Sequence, residues 1–80
     1  MSIRTEKQIT KEEAKERVIN LIPGEVVSFS SKELGYKYPG FSVLVGKNER
    51  GGRYTMSQCG DWLGDDNTAE DVANFIANRA

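Results

Sequence analysis

The residues that most often perform enzymatic chemistry are nearly absent from this chain. It has no histidine and a single cysteine, Cys59. Gln58-Cys59-Gly60 has the look of a nucleophile's setting, but thiol attack needs a base to take the proton and no imidazole exists to do so. One cysteine also rules out an internal disulfide and a thiolate metal cluster built from one chain. Oxygen ligands are better supplied, by Asp61, Asp65, Asp66, Asn67 and Glu70. Their order does not match a calcium-binding EF-hand loop, and carboxylates at the start of a helix are accounted for by the positive end of its dipole. The GKNERGG stretch lacks the G-x-x-x-x-G-K-S/T order of a phosphate loop, so its glycines are assigned to a hairpin turn. The expectation is a protein that is not an enzyme and uses no metal or cofactor.

Residues suited to recognition are easier to find. Tyr36, Lys37 and Tyr38 place a cation between two aromatics, a set that can stack on bases and hold phosphates and that also describes an ordinary strand edge. They lie in a loop, 31–40, longer than a tight hairpin needs, and long loops on rigid sheets often carry recognition. Lys47, Arg50 and Arg53 surround a second turn. Trp62, the only tryptophan, is flanked by Asp61 and followed by Asp65 and Asp66. Tryptophan is enriched in interface hot spots, whereas strict strand alternation places Trp62 beside Tyr54 and Met56 on a buried face. Alternation favours the core, and Gly60 and Gly64 weaken the register on which that placement rests.

The elements that must position these residues follow from periodicity. Thr10 and Glu13 form a T-x-x-E capping box ahead of a helix whose apolar stripe is Ala14, Val18, Leu21 and Ile22, ended by Pro23-Gly24. Residues 25–31 alternate as a strand with Val27 and Phe29 on one side and Val26, Ser28 and Ser30 on the other. Residues 41–47 alternate Phe41, Val43 and Val45 against Ser42, Leu44 and Gly46, and 53–59 alternate Tyr54 and Met56 against Arg53, Thr55 and Ser57. Thr68 and Asp71 cap a final helix carrying Val72, Phe75 and Ile76. The predicted fold is α+β: a two-layer α-β-β-β-α domain over 9–80, with a three-stranded antiparallel meander, both helices on one face, and a flexible N-terminal arm over 1–8. The opposite face, lined by Ser28, Ser30, Ser42, Thr55 and Ser57 around Leu44, is expected to stay open to water.

The segment DWLGDDNTAEDVANFIANRA resembles the end of AP2-type DNA-binding domains, where a strand ending in W-L-G precedes a T-A-E-capped helix beneath a three-stranded sheet. Trp62, Leu63, Gly64, Thr68, Ala69, Glu70 and Ala73 carry the likeness, which covers about a quarter of the chain. It implies an outer sheet face that enters the major groove, with Lys47, Arg50 and Arg53 nearest DNA. The element order is also similar to that of double-stranded-RNA-binding domains, but Asp65, Asp66, Glu70 and Asp71 stand where that family needs cations.

The net charge of −1 hides an uneven distribution: residues 25–60 carry five basic and three acidic groups, and 61–80 one basic and five acidic. No apolar run is long enough to cross a bilayer, and the first twenty residues are too charged for a signal peptide, so a cytoplasmic protein without membrane attachment is expected. The leading expectation is a small non-catalytic protein-binding module, in the manner of modulators and inhibitors of host proteins found in phages and mobile elements. Its contact residues are Tyr36, Lys37, Tyr38, Lys47, Arg50, Arg53, Trp62, Asp65 and Asp66. The alternative is a nucleic-acid-binding module using the basic hairpin and the open sheet face. A homodimer paired through the unpaired edge of the first or third strand is a further expectation.

Overall fold

The computed structural model describes residues 9–77; the arm expected over 1–8 lies outside the described residues. The element order is α1 (Lys11–Ile19), β1 (Val26–Phe29), β2 (Val43–Lys47), β3 (Tyr54–Gln58), β4 (Asp61–Trp62) and α2 (Ala69–Ala77). Two helices that contact one another flank a single antiparallel sheet of order β1-β2-β3-β4. The α+β class stands, and the strand count is corrected from three to four.

Both helices begin as their sequences dictate. At α1 the Thr10 amide donates to Glu13 Oε1 at 3.0 Å and the Glu13 amide donates to Thr10 Oγ1 at 3.1 Å. At α2 the Thr68 amide donates to Asp71 Oδ2 and the Asp71 amide to Thr68 Oγ1, both at 3.0 Å. The end of α1 comes earlier than expected. Asn20 is its C-cap, Ile22 is 63% exposed and Leu21 only half-buried. Proline disfavours the helical region for the residue before it, and here the Ile22 amide instead meets the Glu25 carboxylate at 2.9 Å in a turn. The apolar stripe of α1 is therefore Ala14 and Val18 alone.

The register assigns the sheet's faces. Phe29 pairs with Val43, Val27 with Val45, and Val45 with Met56, and directly opposed residues share a face. That side supplies Phe29, Val43, Val45, Tyr54 and Met56 to one core with Ala14 and Val18 of α1 and Val72 and Ile76 of α2. Each of the largest fully buried side chains, Phe29, Leu34 and Ile76 among them, contributes roughly 1.5–3 kcal/mol by leaving water. Phe41, expected on this face within the second strand, precedes β2 and is half-buried against the loop.

The fourth strand arises from a reversal that alternation could not anticipate. Cys59 and Gly60 both have positive φ, 53° and 81°, forming a two-residue turn that pairs Gln58 with Asp61 and Ser57 with Trp62. Chain continuation would have carried Trp62 to the core side; the turn puts it opposite Ser57 on the outer side. Trp62 is 66% exposed, so its core placement is overturned. The same reversal covers the far side of β3, leaving β1 and the short β4 as the sheet's edges and removing β3 as a site for edge pairing.

Candidate functional site

One cross-strand row organises the outer face. Ser28 pairs with Leu44, Leu44 with Ser57, and Ser57 with Trp62, so four side chains cross the sheet on one side from edge to edge. The neighbouring row is Val26, Gly46 and Thr55. Leu44 is 46% exposed and Val26 64%, so with Trp62 the face carries three large apolar side chains among hydroxyls. Gly46 is required there: a Cβ would sit 2.9 Å from Thr55 Oγ1 and 3.4 Å from Val26 Cγ2.

At the β1 end of this row the chain opens a cleft of about 800 Å³, lined by Ser28, Ser30, Ser42, Lys37 and Tyr38 among others, with Pro39-Gly40 on its wall. The loop that forms it, 31–42, is held at many points. Ser30 and Glu33 cap one another like a helix start: the Glu33 amide donates to Ser30 Oγ at 3.2 Å and the Ser30 amide to Glu33 Oε1 at 3.1 Å. Glu33 also pairs with Arg17 of α1, whose guanidinium lies 5.4 Å from the centre of the Phe29 ring. This hydrogen bond from Arg17 holds the Glu33 carboxyl below its ordinary range, and the same bond raises Arg17. Leu34 is fully buried beneath the loop, and Tyr36 stacks on Phe41 with ring centres 4.6 Å apart. The Phe41 amide donates to Ser31 Oγ at 2.8 Å, Gln58 Nε2 donates to the Phe41 carbonyl at 3.0 Å, and the Cys59 thiol donates to the Gly40 carbonyl at 2.8 Å. The cleft is thus a braced feature of the fold.

The residues expected from sequence to bind a partner are not gathered into one site. Lys37 and Tyr38 are exposed at the cleft, Tyr38 to 50%, whereas Tyr36 is 6% exposed and serves as a strut through its stack on Phe41. Lys47 belongs to the core side: it pairs in register with Tyr54, and its ammonium lies 4.8 Å from that ring's centre. Arg50 is exposed at the hairpin tip. Arg53 faces Asp66 at 3.6 Å, so a carboxylate offsets its charge. Asp65 and Asp66 are exposed beside β3, where Asn48 Nδ2 donates to the Asp65 carbonyl at 2.6 Å. Among the described residues no group of three carboxylate or cysteine side chains is placed to hold a metal ion, and no helix is long and apolar enough to cross a membrane. Sequence reasoning missed Ser31 and Lys32 as cleft residues; the S-x-x-E order of Ser30 to Glu33 was the available signal for the turn that carries them.

No family model, curated protein or solved structure matches the chain, and the local likeness of residues 61–80 to AP2-type domains gains no support from that comparison.

Proposed function

We propose that this chain is a non-catalytic protein-binding module whose contact surface is the outer face of the sheet, with Trp62 as its anchor and the 31–42 cleft as its second element. The observation that carries the reading is the exposure of Trp62 at the end of a row that also exposes Leu44. An indole left in water forgoes roughly 25 cal/mol for each Å² of apolar surface that a partner could cover. Aromatic anchors ringed by polar groups are the pattern of interface hot spots, and here Ser57 is the direct cross-strand neighbour of Trp62 in a row that ends at Ser28. Ala14 and Val18 of α1 and Val72, Ala73 and Ile76 of α2 are buried and Ile19 of α1 is exposed by itself, so the outer face is the broad apolar surface left for contact. Modulation of a host protein, in the manner of small phage and mobile-element proteins, is a role that fits such a surface.

A four-stranded face of about 15 by 17 Å offers roughly 250 Å², well below the about 800 Å² each partner buries in a standard interface. The cleft loop and the acidic turn after β4 must therefore join it. The test is affinity capture from nuclease-treated lysate with the intact chain, Trp62→Ala and Leu44→Ser. A protein retained by the parent and lost by both variants supports the reading; retention by both variants overturns it.

The exposure of Lys37 beside Tyr38 favours a second reading, single-stranded nucleic acid stacked on the tyrosine. It requires affinity that falls steeply with salt, and capture that nuclease treatment abolishes.

A further inference from the structure

The cleft has a chemical bias that the rest of the surface lacks. Its lining contains Lys32 and Lys37 and no aspartate or glutamate. Neither lysine has an ion-pair partner among the described residues. The nearest carboxylate in the loop, Glu33, is committed to Arg17 and to the Ser30 amide. The lining hydroxyls differ in their engagement. Ser30 Oγ is taken up by Glu33, while Ser31 Oγ accepts from the Phe41 amide and so keeps its O–H free to donate. Ser28 and Ser42 make no side-chain hydrogen bond within the described residues. Three hydroxyl donors and two lysines without an ion-pair partner among the described residues thus share the lining of one concave site with Tyr38 and Pro39. Such a set suits a carboxylate next to an apolar side chain.

The position of the cleft selects the kind of molecule that would bring that group. β1 is an edge of the sheet, and Ser28 of β1 and Ser30 just after it line the cleft. An edge strand offers alternating main-chain donors and acceptors at the spacing of another polypeptide, so an added strand can pair with both, whereas the phosphates of a nucleic acid can only accept. We infer that the cleft binds an extended acidic peptide segment, its main chain alongside β1, one carboxylate among Lys32, Lys37 and the free serine hydroxyls, and a large apolar side chain against Tyr38 and Pro39. This rests on the protein-binding reading and specifies the partner's element at one end of the face.

The experiment is selection of a random-peptide display library on the immobilised chain, followed by binding of an enriched peptide to the parent and its variants. Enriched sequences are expected to pair Asp or Glu with an aromatic or large aliphatic residue. Lys32→Glu with Lys37→Glu is expected to weaken the synthetic peptide by at least about tenfold. Glu16→Gln, on the exposed side of α1 and outside the contact surface, leaves its affinity within about twofold, since well-separated sites act additively. Backbone resonances that shift on binding should fall in 26–32 and 36–42. Enrichment without an acidic excess, no enrichment, indifference to the lysine reversals, or shifts confined to the helices or the 48–53 hairpin each overturn the inference. So does a single-stranded oligonucleotide that displaces the peptide and binds more tightly, which transfers the cleft to nucleic acid. If the peptide result fails while Trp62→Ala still abolishes capture of a partner protein, the inference falls and the protein-binding reading stands.

Discussion

Replacing Trp62 with alanine separates the two places that residue could occupy. About a third of its surface is covered in the fold, since 66% is exposed. A fully buried aromatic removes about 200 Å² from water, so Trp62 hides roughly 70 Å², worth about 1.7 kcal/mol at 25 cal/mol per Å². Compactness of the unfolded chain trims this by up to about 40%, leaving a cost near 1 kcal/mol, or about 4–8 °C in Tm for a domain of this size. Phe29 sets the contrast, being fully buried where the sheet, Arg17 and the core meet. Phe29→Ala is expected to cost about 3–5 kcal/mol, enough to unfold much of so small a domain. The assay is urea denaturation followed by far-ultraviolet circular dichroism, because the substitution removes the only tryptophan fluorescence. A Trp62→Ala cost of 3 kcal/mol or more would place the indole in the core and refute the turn at Cys59-Gly60 together with the outer-face row.

Other expectations follow from single contacts. Gly46→Ala forces a methyl to within 2.9 Å of Thr55 Oγ1 and should cost about 1–3 kcal/mol; in a Thr55→Ala background that cost should shrink, giving a non-additive double-mutant cycle. Gly60→Ala meets no atom within 4 Å but must hold a φ of 81°, so a loss of about 1–2 kcal/mol in thermal unfolding is expected from backbone strain alone. Thr68→Ala removes the cap of α2 and should cost about 1 kcal/mol by the same measurement. Glu33 and Glu70 both titrate below their ordinary value of 4.5, Glu33 through its bond from Arg17 and Glu70 through Lys11 and Lys15. Their contribution is thus complete above that value and is lost as pH falls through the lower folded values. Acid titration monitored by the 31–42 resonances should loosen the loop in that range, and Glu33→Gln should remove the loop's share of the effect.

Much of the fold was legible because local signals agreed. Both capping boxes, the core positions Val43, Val45, Tyr54 and Met56, and the open serine-bearing face follow from spacing and alternation alone. The errors came from turn chemistry. Cys59 is an unusual first residue for a primed two-residue turn, so Cys59-Gly60 gave no hairpin signal comparable to Asn-Gly, and β4 and the side of Trp62 were lost together. Pro23 keeps Ile22 out of the helix, but α1 already ends at Ile19 with Asn20 as its cap, and proline sterics do not account for that earlier stop. Of the residues expected to make contact, Lys37, Tyr38 and Trp62 lie on or beside the outer face, while Tyr36 packs on Phe41 and Lys47 on Tyr54 on the core side. Those pairings span only five and seven residues, but they depend on the path of the 31–42 loop and on the hairpin register, which alternation alone does not give.

Contact between the outer sheet face and a protein is the step on which the proposed function depends. It is tested most directly by installing a photoreactive benzophenone amino acid at one position at a time, Leu44 on that face or Glu16 on the exposed side of α1, and irradiating each in host lysate. A discrete protein adduct is expected from position 44 and none from position 16. Adducts from position 16 alone, or adducts from position 44 that nuclease digests away, would contradict it.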